Sequence, residues 1–403
     1  MNILFLGIVF NKEEEKEYLN LSKVGLQGAS NLFQLNIIKG LTENTQKENL
    51  SVLSVLPVGT YPLKYKKILL ESKEWVYNDT QFQEIGSINI SLLKQINRYF
   101  AIRKKIEEWI NKSIKNRHII IYSLYPVFIS AIKRVKEKYP EVKITVIVPD
   151  LPSIYGLLSK NPIKAQIQKK IGNRVLKELE VADYFVLLTE SMKKPLKIGN
   201  KPNVIIEGLV TDEVLPKNNN LESDTFLKSI LYTGSLNTEF GIEMLLDAFQ
   251  RIDDSNVELW ICGSGETESK IKEKAKVNRR IKFFGYVSNE KARALQNKAT
   301  ILINPRKNDA TYTKYSFPSK TMEYIASGKP VIMYKLDGIP NEYDEHLYYV
   351  DSDSVEDLKD KIIEVLNKSP EELKQNGLIS QKWLIENKNI KSQVKKITDM
   401  ILN

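Results

Sequence analysis

The chain has 403 residues, too long for one ordinary hydrophobic core and comfortable as two domains of about 200 residues each. A 42% hydrophobic and 27% charged composition excludes a disordered chain, and a single cysteine excludes an internal disulfide or a Cys/His zinc pattern. The net charge of +10 is uneven: residues 1–200 carry 31 Lys and Arg against 19 Asp and Glu, while residues 201–403 carry 29 against 31.

The N-terminal run "NILFLGIVF" has no basic segment before it, is too short to span a bilayer and meets "NKEEE" at once. It reads as a first buried strand and not a signal peptide, so the expected location is cytoplasmic. "LSVLSVLP", "HIIIYSL", "KITVIVPD", "YFVLLT" and "NVIIEG" continue the strands, with amphipathic stretches such as "NLFQLNIIKGLTE" and "VFISAIKRVKEKY" between them. This alternation predicts a parallel sheet covered on both faces. Basic residues crowd between Lys94 and Lys197, in "RYFAIRKKIEEWINKSIKNR", "IKRVKEKYPEVK" and "NPIKAQIQKKIGNR". Each could be a solvated helix face; together they suggest an anionic partner, a membrane surface or a phosphorylated lipid. No nucleic-acid-binding motif accompanies the charge, so nucleic acid is not an expected partner.

The polar stretch "EGLVTDEVLPKNNNLESDTFLKS" predicts a seam near 215–225. Beyond it the grammar restarts with "SILYTGSL", "VELWICGSG", "IKFFGYV", "ATILINPR", "PVIMYK" and "HLYYVD". Cys262, inside "VELWICG", reads as a small buried residue. The expected organisation is a doubly wound domain over 1–215, a second over 225–380, and a helical segment over 381–403 crossing back to the first.

In open parallel sheets ligands sit at the carboxyl ends of strands. The second-domain loops there are "TGSLNTEFG" with Gly234 and Ser235, "GSGE" with Gly263 and Gly265, "NPRKNDATYTKYSFPSK" with Arg306, and "KLDG". The last long loop runs into "YSFPSKTMEYIASGKPVI", Tyr315 to Ile332. Pro318 suits a helix start, Ser316 or Ser319 could cap it, and Gly328 with Pro330 ends it. Ser316, Lys320 and Glu323 follow an i, i+4, i+7 spacing and would share one face. A glutamate can hold two neighbouring ribose hydroxyls and a lysine near the helix start can neutralise phosphate; the alternative is a Lys/Glu surface pair on a core helix.

In the first domain, Gly28, Ala29, Ser30 and Asn31 stand just before a helix, as a close-approach loop or a plain connection. Asp150 follows "KITVIVP"; its carboxylate could take a proton from an acceptor hydroxyl, orient it, or cap the turn before Pro152. Glu190 of "LLTESM" also follows a strand. Asp351 and Asp353 form the one DxD string and read as a helix cap, not a metal site.

The motifs "LYTGSLNTEFGIEMLLDAF", "LWICGSGETES", "IKFFGYVSNEKARALQNKATILINPR" and "YSFPSKTMEYIASGKPVI" resemble the nucleotide-sugar-binding domain of GT-B glycosyltransferases, in particular retaining family 4 and its bacterial exopolysaccharide and capsule enzymes. The resemblance covers roughly residues 228–370, and more loosely the first domain through "GASN", "IVPDLP", "LLTESM" and "VIIEG". It implies an α/β fold of two doubly wound Rossmann-like domains facing a central cleft. It also implies a nucleoside-diphosphate sugar, with UDP the expected nucleotide, as co-substrate in the second domain. No other cofactor or metal is implied. The acceptor would lie against the first domain, a lipid-diphosphate-linked saccharide at the inner face of the membrane. By the same resemblance Glu323 holds the ribose, and backbone amides around Ser316, Phe317, Pro318, Ser319 and Lys320 face the diphosphate.

Two departures from the family pattern stand out. Tyr315 occupies the position where the family usually has its first glutamate. The usual cations of the glycine loop are absent, leaving Ser235, Leu236 and Phe240 there, so Arg306 and Lys320 are the candidates to stabilise the leaving group. With retention, the leaving phosphate can itself accept the acceptor's proton. An inverting transferase with Asp150 as base, a nucleotide-sugar epimerase and a non-catalytic partner subunit are the alternatives.

Overall fold

Continuous apolar runs become central parallel strands because only a strand covered on both faces can bury every side chain. The computed structural model describes residues 1–45, 49–113, 116–151, 162–211, 227–308 and 313–402, and divides into two compact units. The first comprises residues 1–209 with 390–403, the second residues 210–389. The expected seam at 215–225 lies outside the described residues.

The first unit contains β1 (Asn2–Gly7), α1 (Glu15–Leu21), α2 (Gly28–Asn44), β2 (Leu50–Ser54), β3 (Leu69–Leu70), β4 (Lys73–Tyr77), β5 (Thr80–Glu84), β6 (Ser87–Ile88) and α3 (Ser91–Lys112). It continues with β7 (Arg117–Tyr122), α4 (Pro126–Lys138), β8 (Lys143–Val148), α5 (Pro162–Glu178), β9 (Tyr184–Leu187), α6 (Lys193–Leu196) and β10 (Asn203–Ile205). Its main sheet has the order β10-β9-β8-β7-β1-β2-β5-β4, parallel except for the β4–β5 pair. That pair turns through Asn78 and Asp79, both at positive φ, as a two-residue hairpin loop demands. The strands between 69 and 88 are absent from the sequence reading. They are short, and β4, "KEWVY", buries only its tryptophan, which stacks on Phe82 at 3.9 Å.

The second unit contains β11 (Lys228–Thr233), α7 (Ile242–Gln250), β12 (Val257–Cys262), α8 (Glu268–Val277), β13 (Ile281–Gly285), α9 (Asn289–Lys298), β14 (Ile301–Asn304), α10 (Ser319–Ala326), β15 (Val331–Met333), β16 (Tyr348–Tyr349), α11 (Val355–Leu366) and α12 (Pro370–Lys388). All six strands are parallel, in the order β13-β12-β11-β14-β15-β16. The fold class is thus two doubly wound α/β units. The second core gathers β11, β12, β14 and β15 with the inner faces of α7, α10 and α11.

The C-terminal segment is two helices, not one continuous crossing from 381. α12 is capped by Ser369, whose hydroxyl accepts from Glu372 N, and stays in the second unit. Its last residue, Lys388, is fully buried, paired with Glu342 and flanked by the Tyr343 and Trp383 rings. The chain leaves at Asn389, and α13 (Ile390–Leu402) packs on α2, where Gly40 lets Val394 come close enough to exclude any β-carbon. Among the described residues no helix is long and apolar enough to cross a membrane.

Candidate active site

In the second unit the strand order reverses between β11 and β14, and in an open parallel sheet the crevice beyond the carboxyl ends at such a reversal is where ligands bind. The loop after β11 is pressed against the loop after β12: Gly234 N donates to Cys262 O at 3.1 Å and Leu236 N to Ser264 O at 3.0 Å. Thr267 adds its hydroxyl to Leu236 O at 2.6 Å. Gly263 has φ +144°, and a β-carbon there would sit 1.8 Å from Gly234 O. Gly265 is similarly confined by Leu236. These glycines let two backbone turns close on each other, while Leu236 is fully buried and Ser235 offers its carbonyl to Tyr232 OH at 2.6 Å.

α10 approaches the same crevice. Its N-cap is Pro318, with no side-chain cap bond, so neither Ser316 nor Ser319 caps it. Ser316 precedes the helix, and the i, i+4, i+7 face therefore reduces to Lys320 and Glu323. The reason is the proline: it holds the residue before it extended. Ser316 Oγ is buried without a hydrogen-bond partner, Ser319 is exposed, and Phe317 turns inward against Tyr343, leaving its backbone alone for any ligand. Tyr315 is half-buried, with Lys314 Nζ 5.1 Å from its ring centre. Gly328 ends the helix at φ +72°, and α12 braces that turn through Gly377, whose missing side chain leaves room for Gly328 O.

The Glu323 carboxylate is held by side chains that spacing alone does not bring together. Lys320 Nζ donates to both oxygens, at 2.8 and 2.7 Å. Gln296 Nε2, from α9, donates to Oε1 at 2.7 Å and to Thr233 Oγ1 at 3.1 Å. Tyr324 OH accepts from Thr233 N at 2.8 Å and donates to Thr233 O at 3.0 Å, locking α10 to the end of β11. Gln296, Thr233 and Tyr324 have no signal in the sequence beyond belonging to the right elements. With three bonds already made, one of the roughly four acceptor positions of the carboxylate stays open.

Two further cations stand near strand ends of the same sheet. Arg306, almost buried after β14, lies 5.6 Å from the Phe240 ring. Burial pushes the Cys262 thiol up to about 11, against the pull of Lys291 and Lys320, which places both ammonium groups near the end of β12. Lys291, in the first turn of α9, is a cation the sequence reading missed; the Ser288 cap preceding it was its only local marker. At the far edge, Ser354 caps α11, not Asp351 or Asp353: Asp351 pairs with Lys361 at 3.4 Å, and Asp353 O receives Lys307 Nζ at 2.9 Å. No group of three His, Cys, Asp or Glu able to hold a metal occurs among the described residues.

The first unit has its own reversal, between β1 and β7, and a cleft of about 1010 Å³ opens there. Gly28, Ala29 and Ser30 line it from the first turn of α2, inside the helix and not before it. Asn31 does not line it. Its amide is spent on Phe10, accepting from N at 2.9 Å and donating to O at 3.1 Å. Asp150 stands exposed at the rim, and Ser30 Oγ donates to Tyr122 OH at 3.2 Å. Glu190 pairs with Lys193 and is not among the lining residues. Lys94 and Arg98 of α3 are: both are buried, although the sequence shows them as part of a basic, solvated-looking run.

Residues 227–368 match the family described as "Glycosyl transferases group 1". Three solved structures illustrate the similarity of the whole chain. Sucrose-phosphate synthase from Thermosynechococcus elongatus is 14% identical, with a TM-score of 0.63 over 99% of this chain and 98% of that one. The lipopolysaccharide outer core galactosyltransferase WaaB is 16% identical, with a TM-score of 0.61 over 100% and 99%. A structure described as trehalose-6-phosphate from E. coli bound with UDP-2-fluoro glucose is 10% identical, with a TM-score of 0.62 over 100% and 99%. No curated protein matches. The fold is the two-domain α/β GT-B fold. The family match lies wholly within the second unit, and the chain is a glycosyltransferase.

Proposed function

We propose that this enzyme is a retaining transferase of the family 4 type that moves a sugar from a nucleoside-diphosphate sugar to a lipid-diphosphate-linked saccharide in cell-surface polysaccharide biosynthesis. The observation that carries the donor half is the Glu323 carboxylate held by Lys320 and Gln296 at the strand-order reversal of the second unit. Glu323 takes the ribose hydroxyls. Lys320 then leaves the carboxylate for the diphosphate, where it joins Arg306 and Lys291. Negative charge develops on the leaving β-phosphate, and these fixed cations lower that barrier without calling on a metal. UDP is the expected nucleotide; the E. coli structure described above was solved with a UDP sugar.

The acceptor half rests on the first unit. Its charge is basic, and α3 and α5 leave large apolar side chains in water, with Phe100 61% and Ile167 53% exposed, on the same helices as Lys104, Lys105, Lys169 and Lys170. Such a surface suits peripheral binding to an anionic inner leaflet. In this reading the leaving phosphate receives the acceptor proton, and Asp150 at the cleft rim orients the hydroxyl.

Titration calorimetry with UDP, GDP and ADP, beside Glu323→Ala, tests the donor half: one saturable nucleotide lost in the variant supports it, and no binding to any overturns it. Asp150→Asn tests the second reading, an inverting transferase with Asp150 as base. A loss of turnover of about 10²-fold or more, with an inverted product, would favour that reading.

A further inference from the structure

The buried stripe of α3 runs Lys94, Arg98, Ile102, Ile106, Ile110, one residue every four. Three of these positions hold isoleucine, as a core-facing stripe should. The first two hold cations, and they are the two that line the first unit's cleft. We propose that Lys94 and Arg98 form a buried anion subsite in this cleft that takes the phosphate or diphosphate of the acceptor; the assignment rests on the first unit being the acceptor side.

Among the described residues no carboxylate is ion-paired with either cation. Lys94 is 3% exposed and donates to Val58 O at 2.6 Å; Arg98 is 4% exposed and donates to Leu56 O at 2.7 Å. Arg98 Nε is buried without a partner. Each cation thus has a carbonyl where a carboxylate would be needed to cancel its charge. Tyr125 also approaches Arg98. Glu84 is the acid near enough to act on Arg98, but it is 2% exposed, its Oε2 has no partner, and burial pushes it up to about 7. Burial and the neighbouring guanidinium together press Lys94 down to about 7.

Burying an uncompensated cation costs several kcal/mol, so such groups persist where something else repays the cost. An anion entering the cleft would do so. A guanidinium with a free Nε and an ammonium one helical turn away offer the forked and point donors that phosphate oxygens accept. Lys64, also lining the cleft, adds a third positive charge. Asp150 lies on the same cleft, so an acceptor anchored by its phosphate presents its sugar hydroxyl within the space that Asp150 and Ser30 border.

The test is calorimetric titration of the full-length enzyme, already saturated with UDP, with inorganic pyrophosphate. The expected result is a binding event that Lys94→Met and Arg98→Met each weaken by about tenfold or more and that Arg98→Lys largely retains. Lys320→Ala should leave it in place. If the methionine variants fail to fold, the wild-type titration and the accompanying rise in Tm still decide. No second event in wild type overturns the proposal, as does an event that Lys320→Ala abolishes and Lys94→Met spares. A prenyl diphosphate and glucose 6-phosphate then separate the sources: tighter binding of the first supports a lipid-linked acceptor, and of the second a soluble phosphorylated one. UDP binding is read separately beforehand, so failure of the donor assignment is distinguishable from failure of this subsite.

Discussion

Replacing Glu323 with alanine separates a binding role from a packing role, because the structure assigns the two very different magnitudes. The carboxylate side chain is 26% exposed and its lysine partner 35%, so the ion pair contributes at most about 1 kcal/mol to stability. Its removal leaves Lys320 to water, while the buried Gln296 Nε2 keeps Thr233 Oγ1 and loses only its second acceptor, which the space left by the side chain opens to water. Two ribose hydroxyls bonded to a charged acceptor are another matter. After Lys320 is released from the pair, their loss is expected to cost about 2–3 kcal/mol, roughly 30- to 150-fold in Kd. Calorimetry with UDP and with uridine, beside urea unfolding, reads both quantities. Glu323→Ala should weaken both ligands, whereas Lys320→Ala should weaken UDP and leave uridine nearly unchanged. A Kd within about threefold of wild type would refute the ribose assignment, and an unfolding loss above about 3 kcal/mol would make Glu323 a packing residue.

Three further outcomes follow from the geometry. Arg306→Ala should lower turnover by about 10²-fold, with UDP affinity changed far less, if its charge acts mainly on the leaving diphosphate; steady-state kinetics with product release monitored checks the split. Gly263→Ala introduces a β-carbon against Gly234 O at φ +144°, and should abolish UDP binding or cost about 2 kcal/mol or more in urea unfolding. His118, buried and bonded through Nε2 to Thr145 Oγ1 at 2.7 Å, is pushed by burial down to about 4. It stays neutral when folded but takes a proton when unfolded below its ordinary value, so the unfolded state binds more protons and stability falls as pH drops from about 6.5 towards 4. Between pH 7 and 5 the loss should be about 2 kcal/mol, and His118→Gln should remove that part of the slope.

The central strands were legible because a strand buried on both faces must be largely apolar, and β1, β8, β11 and β12 each carry a run of mostly apolar residues. The hairpins between 69 and 88 were not, since two-residue strands and a strand such as "KEWVY" carry almost no periodic signal. Glu323, Lys320 and Arg306 could be picked from their order relative to strand ends. Ser316 could not be excluded, because where Pro318 places the first helical turn depends on the chain before it. The Asn31 amide closes on Phe10, 21 positions away, which no local pattern shows, and the burial of Lys94 and Arg98 is not recorded in a charge count.

By itself the sequence determined two doubly wound units, the asymmetry of charge between them and the position of the post-strand loops on which the proposed donor site draws, since these depend on local apolar runs and breakers. The tertiary structure alone decided which side chains meet. Thr233 and Tyr324 are 91 positions apart and Glu323 and Gln296 are 27 apart, yet each pair is within hydrogen-bonding distance. Parallel strands joined by crossover helices bring distant loops to one edge of the sheet, and that convergence is a property of the sheet and not of any local segment.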